Sequence, residues 1–345
     1  MAPMPEADPP SNHARRALVT GATGAVGGPL VQALSGTWEV RSLVRGGGES
    51  LPGETVRGDL SDMASLERAC AGTDTVFHLA ALLHLVNPSA ELEREYALVN
   101  VEGTRNLVRA AEAAGVRRFV HFSTIAVYGP SSTTIDEATP PAPDTIYAGT
   151  KLESERIVLG SAILEPVVLR LAAVYGSHLK GNYRRLVSSL CAGRFAGIGK
   201  GTNHRMLVHE QDVVRAAMLA ATHEAAPHET FNVTGGGAHE MSLIIEAISS
   251  ALGRRPPRIR VSPALAAGAL SVAGAGQRIL GRRPTLGPWL LDKYLEDVHV
   301  SGDKIQRVLG FAPSISLEEG WRETVDGMRA RGELPDRCSF LARIG

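Results

Sequence analysis

The sequence lacks most of the features that mark nucleic-acid-binding and membrane-spanning proteins. Its 36 Lys+Arg and 36 Asp+Glu residues give a formal net charge of zero, so neither a strongly basic nucleic-acid-binding composition nor an acidic tail is present. The longest apolar run, residues 263–276, is shorter than the roughly 20 residues that span a bilayer. We therefore expect a protein that binds no nucleic acid and has no membrane span.

Cysteine is scarce as well. Cys70, Cys191 and Cys338 are widely spaced and form no CxxC pair, so the zinc and thioredoxin-like motifs are absent and no metal site is predicted. The pattern fits a reducing compartment, and a chain of this length can bury a full core without a disulfide. We expect a cytoplasmic location. Residues 1–14 are rich in proline and have no apolar core, which predicts a disordered leader rather than a signal peptide.

From residue 15 to about residue 175, short β-branched runs alternate with helical patterns. Strands are predicted at 17–20, 39–44, 55–58, 75–79, 118–122 and 166–171, and helices at 24–34, 63–71, 96–114 and 147–159. This alternation predicts an α/β fold, a doubly wound parallel sheet of the Rossmann type. Beyond it, helices at 183–192, 212–223 and 243–252 are interrupted by glycine and proline clusters. Residues 176–345 are therefore predicted to form mainly a smaller substrate-binding lobe, with later segments threading back.

A glycine-rich segment follows the first strand and opens the first helix. Its glycines, Gly21, Gly24 and Gly27, are three residues apart. Such glycines permit a tight turn and close approach of a phosphate, while the helix N-terminus supplies N–H donors. The segment predicts a dinucleotide site that also includes Thr23, Ala25 and Val26.

Two residues at the ends of the next strands bear on which dinucleotide is bound. Arg45 ends the second strand, where an acidic residue would bind the ribose of NAD and an arginine can pair with the 2′-phosphate of NADP. Arg45 therefore favours NADP over NAD, unless it is an ordinary solvated arginine. Asp59 follows the third strand and is placed to touch the adenine, with a plain turn residue as the alternative.

Tyr147 and Lys151 lie four residues apart on one helix face. A lysine ammonium one turn away is expected to lower the pKa of a phenol, which would let Tyr147 transfer a proton at a substrate hydroxyl or ketone. Thr124 ends the fifth strand at the carboxyl edge of the sheet, where α/β proteins bind ligands, and is expected to hold the same substrate oxygen. Its neighbour Ser123 is expected to face the cofactor or the next strand.

Taken together, the motifs resemble the extended short-chain dehydrogenases/reductases of the NAD-dependent epimerase/dehydratase family, from about residue 17 to residue 328. The matching segments are 20–27, 58–60, 78–81, 100–104, 123–124, 127–129, 147–151, Arg170 with 174–176, 208–209 with Asp212, and 309–311.

The resemblance implies roles for individual residues. It makes Tyr147 the acid/base, lets Lys151 bind the nicotinamide ribose, and lets Thr124 orient the reacting oxygen. It places further residues along the cofactor, namely Leu60, Leu79, Ala80, Ala81, Asn100, Ser123 and Val174. For His78 and Asp212 a structural role is the better interpretation. His78 is expected to cap a strand, and Asp212 is expected to be the N-cap of its helix.

The resemblance also bears on the reaction. Relatives that are 4,6-dehydratases carry Asp-Glu after the threonine, but here Ile125 and Ala126 cannot move protons. Epimerisation or oxidoreduction remains. The leading substrate is a nucleotide-diphospho-sugar that reacts at C4. The resemblance implies that Asn182 and Arg205 bind this substrate.

Other functions stay open. The 263–288 region is similar to 3β-hydroxysteroid dehydrogenase-like and dihydroflavonol reductase-like enzymes, which act on apolar substrates. For such a substrate, His84 in an apolar loop is a candidate contact. A non-catalytic nucleotide-binding scaffold is a third possibility. A homodimer formed through helices 96–114 and 147–159 is expected by analogy.

Overall fold

A seven-stranded sheet forms the centre of the larger part of the molecule. The computed structural model describes residues 14–46, 50–83, 90–131, 133–279, 294–336 and 338. The strand order is β10-β6-β5-β4-β1-β2-β3, and every pairing in it is parallel. Its strands are β1 (Arg16–Thr20), β2 (Glu39–Val44), β3 (Glu54–Arg57), β4 (Thr75–His78), β5 (Arg118–Thr124), β6 (Glu165–Leu171) and β10 (Glu229–Val233).

Helices and two irregular helical segments cover this sheet and connect its strands. The helices are α1 (Gly27–Leu34), α2 (Met63–Cys70), α4 (Gly103–Ala113), α5 (Ile146–Leu159) and α7 (Glu210–Thr222), and α3 (Ala90–Tyr96) leads into α4 through a π-helical segment, Ala97–Glu102. A 3₁₀ turn, Ile125–Tyr128, follows β5.

Alternation of side chains along the strands builds two cores, one on each face of the sheet. Leu18 packs with residues of α2, α4 and α5, whereas its neighbours Ala17 and Val19 pack with α1 and α7. Because both faces are covered, the strands are apolar along nearly their whole length. The doubly wound parallel sheet predicted from the sequence is confirmed.

The smaller lobe has a core of its own. Its strands are β7 (Ala173–Tyr175), β8 (Gly197–Ile198), β9 (His204–His209), β11 (Ala238–Glu240) and β12 (Arg260–Val261), and its helices are α6 (Gly181–Cys191), α8 (Met241–Ala251), α9 (Pro263–Ile279) and α11 (Leu317–Ala330). The short helix α10 (Asp303–Leu309), which precedes α11, packs against β10 and the core of the main sheet instead. Trp321 of α11 is fully buried and stacks on Tyr175 with ring centroids 4.8 Å apart. This contact packs α11, near the end of the described chain, against β7.

The lobe is not contiguous in sequence, because the chain returns to the main sheet in its middle. After β9, α7 packs on the sheet and β10 pairs with β6, from Glu229 opposite Val167 to Val233 opposite Leu171. The chain therefore passes from the lobe to the main sheet and back. The division of the chain at residue 175 stays a prediction.

The helix predicted over residues 96–114 is more complex than expected. The π-helical segment interrupts it, and Thr104 Oγ1 donates to the Asn100 carbonyl at 2.6 Å. A π-helical segment of this kind often marks a functional region. Asn100 within this segment makes tertiary contacts that helical periodicity alone could not reveal.

A disulfide joins Cys191, at the end of α6, to Cys338, with the two Cα atoms 5.0 Å apart. Cys70 is a buried free thiol. The prediction that the cysteines are reduced is thus wrong for two of the three. The two partners are 147 residues apart, so their spacing in the sequence does not indicate that they pair. The location of the protein in the cell stays a prediction. Among the described residues, no helix has the length and apolarity needed to cross a bilayer.

Replacing Cys338 with serine should lower the free energy of unfolding by about 2–4 kcal/mol, because the disulfide restrains the unfolded chain. Urea unfolding with and without a reductant measures the loss, and the reductant should have no further effect on the variant. As a direct check, the denatured wild-type protein should titrate as one thiol before reduction and as three afterwards. Three thiols before reduction would contradict the disulfide.

Candidate active site

The glycine loop lies between β1, the start of α1 and the end of β4. Gly21 has a φ of +72°, and a Cβ there would lie 2.7 Å from the Ala80 backbone nitrogen. A Cβ on Gly27 would lie 2.1 Å from the Gly21 carbonyl oxygen. Only glycine fits these two positions, so the loop backbone lies close to the end of β4 without side chains between them. This is a cradle that suits a phosphate.

Behind this loop, a chain of buried hydrogen bonds links β1, β4 and α4. His78 is 1% exposed; its Nδ1 lies 2.8 Å from Thr20 Oγ1 and its Nε2 lies 2.9 Å from Thr104 Oγ1. Thr20 Oγ1 also accepts from the Ala80 backbone N–H. Burial, helped by the nearby Lys151 charge, lowers the pKa of His78 to about 3. The structural interpretation of His78 is confirmed, as a neutral bridge between elements.

Asn100 lies at the inner surface of the π-helical segment and is 1% exposed. Its side-chain oxygen accepts from the Leu82 backbone N–H at 2.7 Å. Its amide nitrogen donates to the Leu82 carbonyl at 3.2 Å and to Thr150 Oγ1 at 3.1 Å. Asn100 thus ties the segment after β4, which includes Leu79, to the first turns of α5.

The ends of β2 and β3 bring Arg45 and Asp59 near each other. Arg45 is exposed. Asp59 Oδ1 accepts from the backbone N–H and the hydroxyl of Ser61. These bonds hold the pKa of the Asp59 carboxyl below its ordinary value, and the Arg45 charge lowers it further. Leu60 is buried against Gly103 of α4. Arg45 therefore keeps an accessible charge at this edge of the cleft.

Tyr147 lies in the first turn of α5, which Thr145 caps by accepting from the Ala148 N–H. Its ring lies beside that of Tyr96, with centroids 6.3 Å apart. Burial raises the pKa of the Tyr147 phenol above its ordinary value, and Tyr96 raises it further. The sequence predicted the opposite direction. The expected lowering depends on the Lys151 amine, which is directed elsewhere.

Lys151 is 3% exposed, and its Nζ lies 3.2 Å from His121 Nε2. Burial lowers the pKa of Lys151 to about 8, while the charge of Glu155 raises it. His121 on β5 is fully buried, and burial, the Lys151 charge and His78 all lower its pKa. A neutral imidazole nitrogen can accept from an ammonium, so His121 holds the amine of Lys151.

One further turn along α5, Glu155 forms a buried ion pair with Arg170 of β6. The two side chains are 1% and 8% exposed, and Arg170 Nη2 lies 2.7 Å from Glu155 Oε2. The Ser123 hydroxyl donates a hydrogen bond to Oε1 of the same carboxylate. Arg170 also lies 4.8 Å from the ring centroid of Tyr128, whose hydroxyl donates to Asn232. The hydroxyl of Ser123 therefore faces α5, and its predicted cofactor contact stays a prediction.

Thr124 ends β5 and caps the 3₁₀ turn by accepting from the Ala126 N–H at 3.2 Å. This turn, which contains Ile125, packs against α5. Thr124 is therefore at the junction of β5 and α5, the helix that carries Tyr147. Val174 is at the middle of β7, paired with Val208.

The residues predicted to bind substrate are dispersed. Asn182 is exposed in the first turn of α6. Arg205 pairs with Glu296 at 3.0 Å, and Arg184 pairs with Glu333 at 2.8 Å. His84 lies outside the described residues. Glu296 therefore neutralises the charge of Arg205, which the resemblance implied as a substrate-binding residue.

Asp212 is not the helix N-cap that the sequence suggested. His209 occupies that position, and its Nδ1 accepts from the Gln211 N–H. Asp212 is fully buried in the first turn of α7 and accepts from the backbone N–H and the hydroxyl of Ser314. The carboxylate therefore anchors the segment before α11, a contact between residues that are 102 positions apart.

A cavity of about 520 Å³ opens within the lobe between β9, α8 and the start of α11. Tyr175, His209, His239 and Glu246 are among its lining residues. None of the residues predicted from sequence to bind cofactor or substrate lines it. The candidate active site is therefore the junction of the glycine loop, β5 and α5.

Comparison with known proteins agrees with this geometry. The model of the NAD dependent epimerase/dehydratase family matches residues 17–234. The chain belongs to this family. A 3-beta-hydroxysteroid dehydrogenase of Mycolicibacterium neoaurum is 30% identical over 355 residues, which cover 93% of this chain and 95% of that protein. Relatives in this family therefore include an enzyme named for an apolar substrate.

Two further relatives widen the range of substrates. An N-acetyl-alpha-D-glucosaminyl-diphospho-ditrans,octacis-undecaprenol 4-epimerase of Escherichia coli O157:H7 is 25% identical, covering 89% of this chain and 93% of that protein. The solved structure of MoeE5 in complex with UDP-glucose and NAD is 29% identical with a TM-score of 0.74, covering 92% of this chain and 99% of that one. The family assignment and the fold follow from these findings.

Sequence reasoning missed His121, Glu155, Thr20 and Thr150. A signal existed for Glu155, because Tyr147, Lys151 and Glu155 are each four residues apart and form one stripe on α5. His121 stands in a run of buried strand residues, where a histidine is an exception that invites a partner. Thr20 and Thr150 are common residue types, and only the fold shows their contacts.

The Glu155→Gln variant should lose about 3 kcal/mol of unfolding free energy, since it leaves the Arg170 charge buried without its partner. Urea unfolding at neutral pH measures the loss. Glu153→Gln on the same helix is the matched control: Glu153 pairs with Arg156 in an exposed ion pair, and its change should stay within about 0.5 kcal/mol. Equal losses in the two variants would show that the buried pair has no special weight.

Proposed function

We propose that this protein is an NAD(P)-dependent enzyme that transfers hydride at a secondary alcohol or ketone carbon. The observation that carries the proposal is that α5 holds a tyrosine and a buried lysine one turn apart. Tyr147 lies in the first turn of that helix, and Lys151 is buried one turn behind it. Family membership supports the use of a nicotinamide dinucleotide.

The residues of the cleft fit such a cofactor. The close packing around Gly21 and Gly27 leaves a cradle free of side chains for the diphosphate. Asp59 and Leu60 would border the adenosine half, Ala80 and Ala81 the middle of the cleft, and Lys151 the nicotinamide ribose. The bound cofactor would supply or accept the hydride. NAD is bound in the MoeE5 structure; the exposed Arg45 supports NADP for this chain.

Tyr147 would move the proton at the reacting oxygen, while Thr124 orients that oxygen by a hydrogen bond. The raised pKa of the phenol makes Tyr147 a proton donor in the reduction direction. For oxidation, the phenolate must be stabilised, which would require the Lys151 amine, held by His121 in this structure, to turn towards Tyr147. His121 acts through Lys151 and is a positioning residue.

An apolar hydroxy or keto compound is the substrate that the geometry favours. Arg205, which the resemblance implied as a contact of a nucleotide-diphospho-sugar, is paired with Glu296, and Arg184 in the first turns of α6 is paired with Glu333. A paired guanidinium has less charge to offer to a phosphate. The 3-beta-hydroxysteroid dehydrogenase relative supports the same class.

A nucleotide-diphospho-sugar reacting at C4 is the second candidate. It is supported by the likeness to MoeE5, whose structure contains UDP-glucose. Ile125 and Ala126 stand where a dehydratase would carry acid/base residues, so elimination of water is not proposed for either substrate.

We further propose a homodimer formed through α4 and α5, which pack side by side. Their outer surface carries residues of both charge signs, among them Arg105, Arg109, Glu112 and Glu153. Such a mixed surface can pair with a copy of itself across a two-fold axis.

Tyr147→Phe should reduce turnover by about 10²- to 10⁴-fold, because the variant keeps the ring but has no transferable proton. The assay follows nicotinamide absorbance with a 3β-hydroxysteroid and NAD or NADP, and separately follows epimerisation of UDP-glucose. Cofactor affinity, measured by calorimetry, should stay within about twofold. Unchanged turnover would refute the catalytic role, and activity only with UDP-glucose would favour the second candidate.

Binding of the dinucleotide should weaken as the pH rises through about 8, because the Lys151 ammonium loses its proton there. Below that pH the amine is charged and can donate to the ribose. The affinity for NAD, which has no 2′-phosphate that titrates near about pH 6, should therefore be constant from about pH 6 to 7. Calorimetry between pH 6 and 9.5 measures this dependence. Lys151→Met should bind weakly and without the transition near pH 8, and a transition that persists in this variant would assign it to another group.

A further inference from the structure

The helix α9 presents an apolar face to solvent. Leu265 and Val272 are 69% and 74% exposed. Together with Gly268, Ala269 and Ala275, which are also exposed, they form one stripe along the helix. A Cβ on Gly268 would meet no atom within 4 Å. A surface helix usually turns polar residues outward, so this stripe needs another explanation.

The opposite side of α9 is also apolar and faces the protein. Ala266, Ala267 and Leu270 are half-buried, and Gly274 is buried. The helix begins directly after β12, which pairs with β8 of the lobe, and Ser262 Oγ accepts from the Leu265 N–H. Because the inner side already holds the helix to the lobe, the outer stripe is not needed for folding.

The segment that leads into α9 is strongly basic. Residues 254–260 contain four arginines, Arg254, Arg255, Arg258 and Arg260, and one large apolar residue, Ile259, which is 71% exposed. Arg255 and Arg258 are exposed, and none of the ion pairs among the described residues involves them. No Asp or Glu occurs from residue 254 to residue 291. Net positive charge therefore adjoins the apolar stripe.

We propose that α9 and the arginines before it form a surface that lies on an anionic lipid bilayer. Leu265, Val272 and Ile259 enter the boundary of the acyl chains, and Arg255 and Arg258 contact the phosphate groups. An apolar helix face flanked by basic residues is the arrangement that binds at a membrane interface. The 17 residues of α9 lie along the membrane rather than across it.

The charge of this surface favours anionic lipid over a second copy of the chain as its binding partner. In a symmetric pairing, α9 would meet α9, and the adjoining arginines of the two copies would approach each other without acidic partners. Anionic lipid removes that repulsion. The proposal concerns this surface alone and does not depend on the proposed reaction.

Sedimentation of the full chain with vesicles tests the proposal. We expect binding to vesicles of phosphatidylcholine with about 30% phosphatidylglycerol, at least tenfold weaker binding to phosphatidylcholine alone, and weakening by salt. The double variant Leu265→Glu/Val272→Glu should reduce binding to anionic vesicles at least tenfold, and so should Arg255→Glu/Arg258→Glu.

Ile163→Glu is the matched control. Ile163 is 67% exposed and lies between α5 and β6 of the larger part of the molecule rather than in the lobe that carries α9, so this variant should bind vesicles like the wild type. Thermal unfolding of each variant excludes loss of fold, and Tyr147→Phe should leave vesicle binding unchanged. Equal binding to neutral and anionic vesicles, or no binding, would overturn the proposal. So would variants that bind vesicles normally but change the oligomeric state in sedimentation, which would assign the face to a second copy.

Discussion

The buried ion pair between Glu155 and Arg170 fixes the geometry on which the rest of the cleft depends. It attaches α5 to β6, and through Ser123 it also attaches α5 to β5. Because Tyr147, Lys151 and Glu155 share one stripe of the helix, the rotation of α5 about its axis sets all three side chains at once. The cost of burying two charges is offset only when geometry and additional hydrogen bonds are good, and here Ser123 supplies such a bond. The carboxylate that stabilises the helix position is thus also the determinant of where the phenol and the amine lie.

A second constraint is the neutrality of the two buried histidines. His78 and His121 lie with ring centroids 5.3 Å apart, close to the Lys151 amine. Burial and that amine keep both imidazoles uncharged, so they serve as hydrogen-bonding groups of fixed charge. The amine is then the one group in this trio whose protonation changes near neutral pH. A cleft that binds an anionic dinucleotide benefits from having its buried cation defined in this way.

Much of this architecture could be predicted from local sequence. The alternation of short β-branched runs with helical patterns predicted the sheet, and the glycine spacing predicted the loop. The ends of the predicted strands lie within two residues of the observed ones, as for β5 (Arg118–Thr124). What could not be predicted depends on contacts between distant residues. The Cys191–Cys338 disulfide, the Arg205–Glu296 pair and the anchoring of Ser314 by Asp212 each join residues about 90 or more positions apart. The predicted lowering of the Tyr147 pKa was wrong for a related reason. Spacing on a helix shows which residues are neighbours, but it does not show how deeply a ring is buried or where an amine points.

The stacking of Trp321 on Tyr175 has a consequence for synthesis of the chain. β7 is made early, yet the aromatic ring that covers it arrives almost 150 residues later, with α11. The sheet strands β1 to β6 can pair while the ribosome is still working, since domains begin to fold from the N-terminus. The lobe cannot complete its core until the C-terminal helix has emerged. Truncated products of translation would therefore carry a nearly finished dinucleotide fold beside an open apolar lobe, which makes them targets for chaperones and proteases.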